Sequence, residues 1–214
     1  MQTEMTKGEQ TRLRILQTAA ELFHRQGVNA TCVDAILEAS HTGKGQFYRY
    51  FKNKHALVRE TLQLHFQWIQ DDLSESMAQL DTLAGFETWL DQIAARVARN
   101  GCEKGCPLGS MAAELSEIDT VIREDIERLF ARIQHKIARG IAAMQARGEF
   151  DLDVAPTAFA EFVWATIQGG ILLAQNAQDI HPLHRVLDHL KADLHLRSRH
   201  ADTPDWEALS QRSA

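Results

Sequence analysis

The sequence predicts an all-α fold, a three-helix head containing a helix-turn-helix joined to a larger helical body. Three observations predict it. Apolar residues recur every three or four positions over most of the chain, the spacing of one helix face. No run of Val, Ile and Thr alternates with polar residues as a half-buried strand would. Only four prolines interrupt 214 residues, a length that can bury a substantial core.

Taken in order, residues 10–26 place Leu13, Leu16, Ala20 and Phe23 at helical spacing, flanked by Ile15, Ala19 and Leu22, and Gly27 supplies the stop. A loop over 28–32 leads to a short second helix opened by Val33, Ile36 and Leu37 and ending near Ser40. A third short helix covers 44–51. The fourth starts at Asn53, a favourable N-cap, and runs through Leu57, Leu62, Leu64, Phe66 and Trp68. Further helices are expected over 86–99, with Trp89, Leu90, Ile93 and Val97 on one face, then over 110–115, over 118–147 with a bend at Gly140, over 156–178 and over 182–197. Pro156 and Pro182 stand in first turns, where the missing N–H costs nothing. A glycine-rich connector, GCEKGCPLG, occupies 101–109. The 198–214 segment is a polar tail with Trp206 as its one candidate for docking.

Charge is uneven. The net −6 divides into +3 over residues 1–60, with nine Lys and Arg against six Asp and Glu, and −9 over the rest, with 14 against 23. A mildly basic head on an acidic body suits a chain whose head alone meets nucleic acid. Eighteen consecutive apolar residues occur nowhere, so no membrane partner is expected. The start MQTEMTKGEQTR lacks the apolar stretch of a signal peptide, and three cysteines (Cys32, Cys102, Cys106) do not make a secreted disulfide framework. The expected location is the cytoplasm.

Residues 31–54, TCVDAILEASHTGKGQFYRYFKNK, carry the functional reading: two helices of about eight residues around a tight turn. In the second, Phe47 and Phe51 are four apart and would bury together. The remaining face shows Lys44, Gln46, Tyr48, Arg49 and Tyr50, side chains that bind phosphate or base edges, Lys and Arg to guanine and Gln to adenine. Gly45 would let the helix backbone approach a groove closely. Alone, Phe47, Tyr48, Tyr50 and Phe51 would read better as the aromatic core of any helical protein.

What separates the two readings is the pattern TR-x-x-IL-x-x-AA-x-LF over 11–23 followed by KGQFYRYF-x-NK-x-x-L over 44–57. Together they resemble the N-terminal domain of the TetR family, over about residues 9–69 with the helix-turn-helix at 32–51, and leave 70–197 as a ligand-binding and dimerisation domain. The resemblance implies a homodimer on a palindromic double-stranded DNA operator, repression of a nearby promoter, and release by a small-molecule effector. Carried over by position, Lys44, Gly45, Gln46 and Arg49 face bases, while Tyr48, Tyr50, Lys52 and Lys54 hold phosphates. The turn departs from the family's common Gly-Val-Ser and reads His41-Thr42-Gly43. Histidine tolerates positive φ, and Gly43 is a weaker N-cap than serine.

In the body, the stripe Phe159, Phe162, Val163, Ile167, Ile171 and Leu172 contains the adjacent pair Gly169-Gly170, which costs about 1 kcal/mol per glycine relative to alanine. Close approach of another helix would justify the pair. By resemblance this helix and the next form a four-helix bundle between protomers, which makes Phe162, Gly169, Gly170, Leu187 and Leu190 candidate dimer contacts; an intramolecular core helix is the alternative. Trp89, Cys106, Met111, Phe130, Met144, Trp164 and Gln168 are candidates to line an effector pocket, though each is also explained as core. The connector and the following SMAAELS resemble a subset of TetR regulators. Lys104 and a helix N-terminus would lower the Cys106 thiol pKa, with Cys102 as resolving thiol, so a cysteine-based electrophile- or redox-sensing repressor is a second reading. Against it stands Cys106 as a small packing residue.

No metal or other cofactor is expected. His181, His184, His189, His195 and His200 are spaced without a shared helical face, and Pro182 breaks the closest pair. The chain lacks Gly-x-Ser-x-Gly, a phosphate-binding glycine loop and His-Glu-x-x-His, so it is not expected to be an enzyme. Glu114 and Glu117 read as a solvated face. A helical protein–protein adaptor would share this composition, but gives no reason for the Lys44–Lys54 constellation; salt-dependent retention on DNA separates the two.

Overall fold

The helical periodicity is realised as nine helices among the described residues, 5–198, of the computed structural model. They are α1 (Lys7–Gln26), α2 (Val33–Ala39), α3 (Lys44–Tyr50), α4 (Lys54–Met77), α5 (Leu83–Arg99), α6 (Pro107–Leu115), α7 (Thr120–Ala146), α8 (Pro156–Ala177) and α9 (His181–Arg197). Trp206, His200 and the tail beyond Ser198 lie outside the described residues.

Capping chemistry sets most of the boundaries. The side chains of Thr6, Asn53, Thr82 and Asp119 each accept a hydrogen bond from the amide three residues on. Thr6 and Glu9 form a reciprocal capping box, and Gly27 closes α1 at φ 86°. Cys32 takes the N-cap place of α2, its Sγ accepting from the Ala35 amide at 3.4 Å. The expected ends shift accordingly. Thr82 starts α5 earlier than the apolar pattern indicates, Pro107 opens α6 at its first turn, and Asp119 starts α7 at Thr120.

At Gly140, where a bend is expected, α7 continues without interruption. A Cβ at that position would collide with the Leu80 carbonyl, so the glycine lets the α4–α5 turn lie directly on α7.

Helices α2 and α3 pack on α1, α1 lies along α4, and α4 continues out of the head to pack on α5 and α7. Beyond it α7, α8 and α9 follow in sequence, and α9 returns to α5. One buried apolar cluster runs through all of this from Ile15 to Leu194, and α4 contributes to it in both head and body. The two glycines of α8 have separate uses. A Cβ on Gly170 would lie 2.8 Å from Leu183 Cδ1 of α9, whereas one on Gly169 meets nothing. Leu187 and Leu190 are 2% and 1% exposed within the protomer, which corrects the expectation that they face a partner: their periodic stripe is the α9 face that packs inward.

The outer side of α8 is unusual. Ala158, Phe162, Ala165, Gly169 and Leu172 are exposed at helical spacing, with Phe162 50% and Leu172 64% accessible. Because both faces are apolar, α8 is long and apolar enough by length and composition to cross a membrane. Its inner face is nevertheless core, against α7 and α9.

Candidate functional site

The site begins with two phenylalanines. Phe47 and Phe51 are 0% and 1% exposed, their rings 5.7 Å apart, and they fix α3 from behind. Arg12 of α1 lies over the Phe51 ring at 5.4 Å and pairs with Glu60 of α4. From α1, Arg14 donates to the Ser40 carbonyl at 2.9 Å, tying down the end of α2. The turn between α2 and α3 needs a left-handed residue, and His41 supplies it at φ 51°. Gly43 is the N-cap of α3, and with no side chain to contribute it leaves half a capping box: its amide donates to Gln46 Oε1 at 3.0 Å.

With α3 held in this way, Lys44, Gly45, Gln46, Tyr48 and Arg49 all face solvent, followed by Lys52. A Cβ at Gly45 would meet nothing, so this part of the helix is open to a close surface. Lys44 pairs with Asp34 at 3.1 Å, both 70% exposed, a contact worth under about 1 kcal/mol that a phosphate can replace. Two residues differ from their expected placement. Tyr50 is half-buried, its hydroxyl close to Gly8 at the start of α1. Lys54 is also half-buried and donates to the Val28 carbonyl at 2.5 Å, which makes it a strut between α4 and the loop before α2.

The same loop is gripped from the body. Glu114 of α6 accepts from the Val28 amide at 2.8 Å and the Asn29 amide at 2.5 Å. It is therefore a structural clamp and not a solvated charge, a role the sequence concealed because its partners lie some 86 residues away. His24, at the end of α1, donates to the Lys104 carbonyl of the connector at 2.5 Å. Asp125 of α7 accepts from Arg59 of α4, whose guanidinium holds that carboxyl below the usual range. Between these ties sits His65, its ring against His24 and Trp68 and its Nε2–H donating to Ala20 O at 3.2 Å. Burial, with help from the neighbouring His24, pushes its pKa down to about 4.

In the body, a cavity of about 50 Å³ lies between α4, α5, α7 and α8, closed by the connector at Gly105–Pro107. Of the seven residues expected to line a pocket, Trp89, Cys106, Trp164 and Gln168 do so. Met111 and Met144 are core, each 1% exposed, and Phe130 stacks edge-on against Trp164 at 5.6 Å, away from the lining. The Trp89 and Trp164 indole nitrogens and Gln168 Nε2 are buried with no hydrogen-bond partner in the protein. An unmet buried donor costs about 1–3 kcal/mol. Arg96 is the one charged residue on the wall, shared with Asp72 at 3.6 Å. Burial pushes the Cys106 thiol pKa up, opposite to the shift expected from Lys104 and the helix terminus; the Gly109 and Leu108 amides, Gln168 and Arg96 only partly offset it. No cluster of three metal-ligating side chains occurs among the described residues.

Comparison with known proteins decides the family. Residues 15–61 match the family described as bacterial regulatory proteins, tetR family, and residues 82–189 match the C-terminal domain described as LmrA/YxaF-like transcriptional regulator. The chain belongs to the TetR family. It is 33% identical over 183 residues to an HTH-type transcriptional regulator in the lacX 3' region of Lactococcus lactis subsp. lactis, covering 85% of this chain and 91% of that one. The HTH-type transcriptional repressor DhaR of Mycobacterium sp. strain GP1 is 27% identical, over 82% of this chain and 88% of DhaR. Among solved structures, a TetR transcriptional regulator from Chloroflexus aurantiacus superposes with a TM-score of 0.81 at 24% identity, covering 91% of this chain and 99% of that one. The reduced form of Escherichia coli NemR gives 0.80 at 19%, covering 91% and 100%, and these likenesses show the shared fold. As a TetR-family member, the protein is a DNA-binding transcriptional regulator with an all-helical architecture.

Proposed function

We propose that this regulator is a repressor that binds a palindromic operator as a homodimer and is released when a small effector enters the body. The observation that carries the DNA-facing half is the row Lys44, Gly45, Gln46, Tyr48 and Arg49, exposed on a helix anchored from behind through Phe47, Phe51 and the half-buried Tyr50. Such an exposed helix face is of the kind that enters the major groove. Arg49 and Gln46 supply base contacts, with Gln46 offering its Nε2 donors while its oxygen caps the helix. Tyr48 and Lys52 supply phosphate contacts, and Lys54 and Tyr50 act mainly by positioning.

The apolar stripe on α8 supports a homodimer, since side chains of this size at helical spacing are what a two-fold helix pair buries. Two relatives are named repressors, DhaR of Mycobacterium and NemR of Escherichia coli, and the repressor reading follows them. Release by an effector is supported by continuity: the connector that closes the cavity also receives His24, and the α6 helix it leads into clamps the Val28–Asn29 loop through Glu114. Movement of the connector is thereby transmitted to the loop that leads into α2.

Selection of bound sequences from a random duplex pool, using the purified protein, tests this. The expected result is an inverted repeat occupied by two protomers; enrichment of a single unrepeated site, or of none, would contradict it.

A further inference from the structure

Trp89, Trp164, Gln168 and Arg96, each with polar hydrogens, all line the cavity of the body, and no carboxylate stands on its wall. Trp89 is 1% and Trp164 7% exposed, so both indole N–H groups are removed from bulk solvent, and Gln168 Nε2 is likewise buried. The two indole N–H groups have no acceptor within the protein, and Gln168 Nε2 has only the weakly accepting Cys106 sulfur beside it. Most of the remaining wall is aliphatic, from Ile69, Leu73, Ile133 and Ile167. A site of this kind is complementary to oxygen acceptors on a carbon frame, and it rejects ligands that bring further donors or a positive charge.

We propose that this cavity is the effector site and that its ligand is a small molecule presenting an acceptor oxygen, a carbonyl or carboxylate, on apolar carbon. The inference rests on the effector-release reading given above and adds the chemistry of the ligand. Size follows from the space. A water needs about 10–15 Å³ of such volume, so about 50 Å³ holds a few waters or a polar group with three or four carbons. Arg96 biases the site toward a carboxylate, although Asp72 already shares its charge.

Four-carbon probes differing only in the head group provide the test: butanoate, 2-butanone and n-butylamine. Each is titrated into the full-length protein while tryptophan emission and Tm are followed, and binding of the selected operator without probe is measured in parallel. The oxygen probes are expected to shift emission and raise Tm at concentrations at least tenfold below those at which n-butylamine acts. Preference for butanoate over 2-butanone, lost in Arg96→Met, would identify the carboxylate form; equal response would identify the neutral carbonyl. Gln168→Met, similar in size and without the amide, should weaken the oxygen probes about tenfold.

If all three probes act alike, or none acts, the acceptor assignment is wrong, and the wild-type series alone decides this should the variants not fold. Loss of operator binding in the unliganded wild type would instead strike the regulatory reading.

Discussion

Arg49 and Lys52 lie three positions apart on and just after α3, both exposed, yet substitution should separate them. An arginine on a base edge discriminates, so Arg49→Ala should cost about 1–3 kcal/mol of preference at one base pair of the half-site, read by competition between operator variants. A lysine on phosphate does not discriminate. Lys52→Ala should weaken every duplex alike and reduce the slope of log affinity against log salt by about 1. At His65 the reasoning concerns pH. Burial holds its folded pKa near 4 against an ordinary 6.5, so the unfolded chain takes up the proton first as pH falls. Stability from this site is therefore fully present above about pH 6.5 and is lost progressively toward pH 4. By pH 5 the loss should reach about 2 kcal/mol relative to pH 7 in urea unfolding, and His65→Gln should lose less by about that amount.

The residues most legible in the sequence were those whose meaning is local. Phe47 and Phe51 announce their burial by a spacing of four, and His41 its left-handed turn by its place between two helices. Glu114, Lys54 and His65 were opaque because their partners, Val28, Asn29 and Ala20, become neighbours only when the body folds onto the head.

At the scale of elements, periodicity located every helix but did not assign its faces. Helix α9 shows why: the stripe containing Leu187 and Leu190 is equally consistent with a partner subunit and with α8, and only the packing, in which Gly170 admits Leu183 and Val186, decides for α8. Boundaries went astray where the cap lay outside the apolar pattern, as at Thr82 and Asp119. A glycine in a helix invites the reading of a bend, yet Gly140 is a contact surface for the Leu80 backbone. Gly140→Ala should therefore destabilise the protein by about 1–3 kcal/mol through overpacking, despite the gain in helix propensity, as a lowered urea midpoint at unchanged slope would show. A neutral or stabilising effect would mean that the α4–α5 turn moves freely away from α7.

For the whole molecule, the proposed homodimer would make the exposed stripe on α8 a link between assembly and function. Phe162→Glu places a charge in the middle of the apolar row, and a carboxylate brought against its own symmetry copy across a two-fold is unfavourable. In sedimentation velocity this variant should run as a monomer with its helical content intact. Operator affinity should fall steeply with it, because one head reads only half of an inverted repeat. A Phe162→Glu protein that remains dimeric would place the interface elsewhere.

Quantitative binding to the selected operator tests the reading of DNA by α3 most directly. Fluorescence anisotropy should show tight, salt-dependent binding by the wild type, and loss of that specificity in the Arg49→Ala, Lys52→Ala double variant at an unchanged Tm. Equal binding by the two proteins would contradict it.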